Sequence, residues 1–212
     1  MRTMLRLAVP AGLQRLLFAA GFTTLFWIIG RVGTVELAAA NVLINLTLVI
    51  ILPGIGLGMA SASLVGQALG RRDADDAKRW GWDVVRVAVV AMVPLGLPMM
   101  FATDVVFGIF TTDPAAIAAG RIPLQIIGGS VVLEAVGMVL LQSMLGAGAA
   151  RTVMIVSISL QWFFFLPIAF VVGPTLGYGL VGIWLVQLAQ QLVQAVVFGR
   201  LWSTGRWAMV RV

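Results

Sequence analysis

Cysteine and histidine are both missing from the 212 residues, and acidic residues number only eight. Without cysteine there is no disulfide framework, no thiol nucleophile and no thiolate metal site. Without histidine, Ser-His and Cys-His catalysis and HExxH zinc chemistry fall away. The same absence removes the side chain that usually titrates near neutral pH. Charged residues make up only 10% of the chain against 61% hydrophobic ones, far from the roughly 25% charged usage of soluble domains. Such a composition belongs in a bilayer. The formal charge of +6 would suggest nucleic acid in a soluble protein; here the basic residues are read by their position along the spans, and no nucleic-acid partner is expected.

What is present is a series of long apolar runs. An α-helix needs about 20 such residues to cross the hydrocarbon core, and charge or turn chemistry divides the chain into six spans: 7–29, 37–69, 83–101, 123–145, 152–172 and 179–202. The expected class is therefore an all-α membrane protein with one six-helix unit over 1–212. The first run has no small-residue cleavage pattern and continues to spanning length, so it is expected to stay as a span. Between the third and fourth, "TTDPAAIAAGR" predicts a short interfacial helix over 114–121, because Asp-Pro suits a helix start. Basic residues alternate between the loops. Arg2, Arg6, Arg71, Arg72, Lys78, Arg79, Arg151, Arg200, Arg206 and Arg211 fall on one side, against Arg31 and Arg121 on the other. That bias predicts both termini in the cytoplasm. Trp80, Trp82, Trp202 and Trp207 would form one aromatic belt, Trp27 and Trp184 the other.

The hairpin "ASLVGQALGRRDADDAKR" then reads as a cytoplasmic turn. Gly70 is expected in the left-handed conformation at a helix end, and Asp73, Asp75 and Asp76 at the next helix's start, where negative charge suits the macrodipole.

Polar groups inside the spans are the functional candidates, since an ionisable side chain there costs several kcal/mol. Glu134 stands near the middle of span four among apolar and small neighbours; it either exchanges a proton or holds a cation, or it is a hydrogen-bonded structural group. Gln187, Gln190, Gln191 and Gln194 repeat at i, i+3, i+4 and i+7 and share one face of span six. They line a hydrated cavity or bond neighbouring helices. Asn41 and Asn45 pose the same choice, as do Gln67, Gln142 and Gln161. Arg15 either snorkels to the interface or lines a cavity beside Gln14, and Asp83 and Arg86 are spaced to pair at i,i+3. Pro53, followed by Gly54, Gly56 and Gly58, predicts a bend or hinge in span two.

Taken together, "AVPAGLQ", "ELAAANVLI", "LPGIGLGMASASLVGQALG", "FTTDPAAIAAG", "LGAGAART", "LPIAFVVG" and "GYGLVGIWLVQ" resemble, in order and spacing, the multidrug and toxic compound extrusion (MATE) antiporters. The resemblance implies twelve spans in two six-helix lobes with an exchange cavity between them, exporting amphipathic, often cationic compounds against inward Na⁺ or H⁺ flow, with no cofactor. One lobe is present, and "STGRW" and "GIW" look like the second lobe. The resemblance also implies a partner lobe, from a separate first half or a second copy, and a bacterial plasma-membrane location. Two positions depart from the family's pattern. Phe18 stands where some members carry an acid, and Ala149 replaces the Asp of the turn after span four. Either Glu134 is then this lobe's coupling group or coupling resides in the first lobe; Gln14, Asn41, Asn45, Gln142, Gln161, Gln187 and Gln191 are candidates for the cavity, Pro53 and Gly54 for a hinge, with no catalytic or metal residue. Within transport, the alternative is a flippase for lipid-linked precursors, which would need more basic groups in its cavity than Arg15 and Arg86. Outside it, the alternative is a non-transporting half or assembly subunit. An intramembrane protease is disfavoured by the lack of histidine and of paired aspartates in the spans.

Overall fold

A computed structural model of the chain describes residues 2–205 and 207, with side chains from residue 16 onward. Every described element is helical: α1 Arg2–Gly30, α2 Thr34–Gly70, α3 Ala74–Phe101, α4 Thr103–Gly108, α5 Pro114–Gly146, α6 Ala150–Ser159, α7 Leu166–Phe170 and α8 Gly179–Thr204. A π-helical stretch, Leu160–Phe165, joins α6 to α7 and a second, Val171–Thr175, extends α7, making a near-continuous rod. Helices are what an apolar chain must form in lipid, because each backbone N–H and C=O is satisfied within its own segment. Among the described residues, five helical segments are long and apolar enough to cross a bilayer: α2, α3, α5, the rod Ala150–Thr175, and α8. Leu16–Gly30 of α1 adds a shorter apolar helix.

Two boundaries differ from the sequence reading. Residues 114–121 are not a separate helix; they are the opening turns of α5, which starts on the Asp113 cap and runs on through Pro123. Proline interrupts one hydrogen bond, but here it does not end the helix. Likewise α3 begins ahead of the span marked from 83, at Ala74, beside the aspartates expected to open that helix: Asp73 caps it by accepting from the Asp76 N–H at 2.9 Å. The aspartates therefore sit at the helix start, where the dipole favours them.

The hairpin corrects a third expectation. Gly70 is the last helical residue, and the left-handed position is Arg72, at φ 63°. A side chain there costs about 1 kcal/mol that glycine does not. Arg72→Gly is therefore expected to raise the melting temperature of the detergent-purified chain by about 2 °C; an unchanged or lowered value would contradict the strain.

α5 is the central helix and packs against α2, α3 and α8, while α1 leans mainly on the rod Ala150–Thr175 and also meets α2. Small residues allow the close approach, as expected where packing rather than hydrophobicity drives association. Where α3 crosses α5, a Cβ at Gly96 would lie 2.7 Å from the Gly128 carbonyl oxygen, and one at Gly128 2.6 Å from the Gly96 oxygen. Where α2 crosses α5, the buried hydroxyls of Ser61 and Ser143 hydrogen-bond at 2.7 Å.

The aromatic belts also need correcting. Trp184, Trp202 and Trp207 are buried rather than interfacial. Trp202 and Trp207 stack at 4.1 Å, and the Trp202 indole donates to the Lys78 carbonyl while Lys78 Nζ donates to the Ser203 carbonyl at 2.7 Å. These indoles clasp the start of α3 to the end of α8 because Gly81 leaves room for the Trp202 ring. Trp27 stays half exposed, stacked on Phe170 with the Arg31 guanidinium 4.3 Å from its ring centre.

Candidate functional site

Glu134 sits near the middle of α5, where α2 and α8 both pack against that helix. Gln191 Nε2 of α8 donates to Glu134 Oε2 at 2.7 Å. A small cavity of about 10 Å³ adjoins the pair, lined by Thr47 and Ile50 of α2, Ile127, Ser130, Val131 and Glu134 of α5, and Gln187 and Gln191 of α8. That is room for about one water-sized ligand. The hydroxyls around it have spent their hydrogens on their own helices: Thr47 donates to the Leu43 carbonyl at 2.7 Å and Ser130 to Ile127 at 3.0 Å. Their oxygens are left as acceptors. Gln191 Oε1 is buried without a hydrogen-bond partner. Only the Gln187 and Gln191 amides carry N–H donors here, one of them given to Glu134, so oxygen acceptors outnumber donors, an arrangement that suits a proton or a small cation.

Among the described residues, the ion pairs are Arg71–Asp76 at 2.7 Å, Arg86–Asp83 at 2.8 Å and Arg121–Asp104 at 3.3 Å, all exposed or partly exposed. None involves Glu134. Nor do the described residues contain a group of three or more His, Cys, Asp or Glu side chains able to hold a metal.

The glutamine stripe of α8 is turned toward α5. Gln187 and Gln191 meet the Glu134 cavity, and Gln194 packs where a Cβ on Gly137 would be 3.5 Å from its Nε2. The other polar residues of the spans lie elsewhere. Asn45 donates to both the backbone and side-chain oxygens of Asn41, at 2.8 and 3.2 Å, and both residues are exposed on α2. Gln142 packs over Gly58, which joins α5 to α2. Gln161, in the first π-helical stretch, lies over Gly21 and donates to the Phe18 carbonyl at 3.4 Å, beside the Trp162 indole bond to the Leu17 carbonyl at 3.2 Å. Gln67 bonds Ser63 of its own helix. Gln14 and Arg15 lie on α1, but their side chains are outside the described residues. α2 runs unbroken through Pro53, and Gly54 is buried against Met138 and Met92, so the glycine there admits two methionines.

Thr47 and Ser130, which line the cavity, carried no distinct signal in the sequence: a lone hydroxyl in an apolar run is usually a local backbone bond, and only the packing of three helices brings these to Glu134.

A transporter from Bacillus subtilis (strain 168), described as the uncharacterized transporter YisQ, is 25% identical over 211 residues, 98% of this chain and 46% of that protein. A probable multidrug resistance protein NorM from Thermotoga maritima is 24% identical over 209 residues, 97% of this chain and 44% of its own length. The chain thus spans about half the length of these relatives. Among solved structures, a MOP superfamily transporter from Pyrococcus furiosus superposes with a TM-score of 0.84 at 18% identity, over 98% of this chain and 44% of that one. A MATE transporter in the straight conformation gives 0.86 at 21% identity, over 96% and 46%. At these identities the structures establish the fold: a six-helix unit of the MATE type. A family model described as MatE matches residues 10–171, which includes Glu134 and the α2 and α5 walls of its cavity, and the chain belongs to the MatE family.

Proposed function

We propose that the chain works as one lobe, the second, of a two-lobe antiporter that exports amphipathic, cationic compounds in exchange for Na⁺ or H⁺, with Glu134 as the coupling group. The observation that carries this is Glu134 itself: an intramembrane carboxyl with no basic partner among the described residues, bonded from α5 across to α8 beside a small cavity that Thr47, Ser130, Gln187 and Gln191 also line. A carboxylate there accepts from the Gln191 amide. Once protonated, it needs an acceptor instead, and Gln191 Oε1 supplies one when the amide turns over. Occupancy of the carboxyl thus changes the bond between two spans, and each ligand shifts the inward- and outward-facing populations by its differential affinity for them. The exposed Asn41–Asn45 pair supports an opposing lobe, since amides on a spanning helix are poorly accommodated by hydrocarbon. A bend at Pro53–Gly54 would let α2 follow the change. The excess of Lys and Arg on one side of the spans supports a reading with both termini on the cytoplasmic side of a bacterial plasma membrane.

Light scattering of the purified 22.5 kDa chain decides whether export is assayed in a homodimer or with a separate first lobe. In that assembly, Glu134→Gln is expected to lower ion-driven export about tenfold or more, the scale of coupling free energies of about 1–3 kcal/mol, with expression retained. Undiminished export refutes the role given to Glu134.

A further inference from the structure

α3 is 28 residues long, about 42 Å at 1.5 Å per residue, whereas the hydrocarbon core is about 30 Å thick. Its apolar run begins at Val84, so the turns before it stand in the headgroup layer. One face of those turns and of the turn that follows carries Asp75, Lys78, Arg79, Trp82, Asp83 and Arg86, and together they line an open cavity of about 320 Å³. Their spacing of i, i+3, i+4, i+7, i+8 and i+11 places all six on a single stripe. The opposite face, Ala77, Gly81, Val84, Val85 and Ala88, is buried in the fold.

The charges of the stripe do not cancel. Asp83 is committed to Arg86 at 2.8 Å. Lys78 donates to the neutral Ser203 carbonyl, which holds the ammonium in place and leaves its charge uncompensated. Arg79 is exposed and has no ion pair among the described residues. Trp82, one turn further along, packs toward Gly199 of α8 and supplies the amphipathic ring that favours the interface. We infer that this cavity is a binding site for the phosphate of an anionic phospholipid headgroup, which Arg79 and Lys78 would pair while Trp82 flanks its glycerol. The lipid would lie against the α3–α8 clasp formed by Lys78 and Trp202. This site is independent of Glu134 and of the proposed transport.

The full chain, reconstituted in phosphatidylcholine bilayers doped with phosphatidylglycerol and extracted into mild detergent, is examined by native mass spectrometry for retained lipid. Phosphatidylglycerol is expected to be enriched over phosphatidylcholine. Arg79→Gln should cut that enrichment about fivefold, the factor for about 1 kcal/mol per basic residue at an anionic surface. Asp75→Asn, which removes the negative charge one turn away, should raise it, and a gain confined to the anionic lipid is not what the unselective lipid binding of a misfolded chain would give. Arg31→Gln, at the other end of the spans, should leave it unchanged. Equal retention of the two lipids, or enrichment indifferent to Arg79 and Asp75, overturns the site. Displacement of the lipid by millimolar inorganic phosphate also overturns it, since the cavity would then be a soluble-anion site.

Discussion

Replacing Gly146 with valine is expected to leave little folded protein at the temperature where the parent chain is intact. Gly146 ends α5 against α2, and a Cβ placed on it would overlap the Cα and carbonyl of Ala62. These are backbone atoms, so no rotamer change relieves the clash. The helices would have to move apart, and the Ser61–Ser143 hydrogen bond at 2.7 Å would be strained with them. Overpacking in a well-packed core costs about 1–3 kcal/mol, and an immovable neighbour places this case at the upper end. Separating the buried serines adds roughly 1 kcal/mol more. A matched control is Gly56→Ala, whose Cβ meets nothing within 4 Å; helix propensity alone predicts a gain of up to about 1 kcal/mol there. Thermal unfolding of both variants in detergent, followed by tryptophan fluorescence or circular dichroism, is the measurement. A Gly146→Val chain that melts with the parent would mean that α2 and α5 do not meet as described.

Hydropathy located the spans because a bilayer imposes a length that composition cannot conceal; α2, α3, α5, the α6–α7 rod and α8 were all legible in this way. Boundaries were harder. Pro123 and the Ala-rich stretch before it look like a break, but a proline near the start of a long helix costs one hydrogen bond that neighbouring turns tolerate, so α5 begins at Pro114. Gly70 looked like the left-handed residue because glycine prefers that conformation; the chain instead turns two residues later, at Arg72. Trp202 and Trp207 illustrate the commonest ambiguity: indoles near a span's end are read as interfacial, and only the Lys78 and Gly81 contacts from another helix show that they are packed inside. At the site, period told that Gln187, Gln191 and Gln194 share a face, and polarity told that Glu134 is unusual. Neither told that the face and the carboxyl meet, because that follows from how α8 is rotated against α5. The same period grouped Asn41 with Asn45, which bond each other instead.

In the two-lobe antiporter proposed above, Gln191→Leu is expected to reduce ion-driven export about as severely as Glu134→Gln, although Gln191 is not itself ionisable. Its Nε2 is the donor that the structure gives Glu134, at 2.7 Å, and hydrogen bonds to charged groups are worth about 1.5–3 kcal/mol. Leucine keeps much of the volume and removes both the donor and the orphaned acceptor Oε1. The carboxyl then loses its link to α8, and a change in its occupancy no longer changes how α5 and α8 are held. On this account the two substitutions remove one interaction, not two. The double variant should therefore be no worse than Glu134→Gln alone, leaving a coupling energy of about 1 kcal/mol or more in the double-mutant cycle. A merely structural Gln191 predicts something different: losses that add, and a lowered melting temperature in the Gln191→Leu variant with Glu134 either present or replaced. Export rates driven by an imposed ion gradient, measured on the parent, both single variants and the double, separate the two accounts. Additive losses would detach Gln191 from the coupling step, and the α5–α8 bond would then be packing.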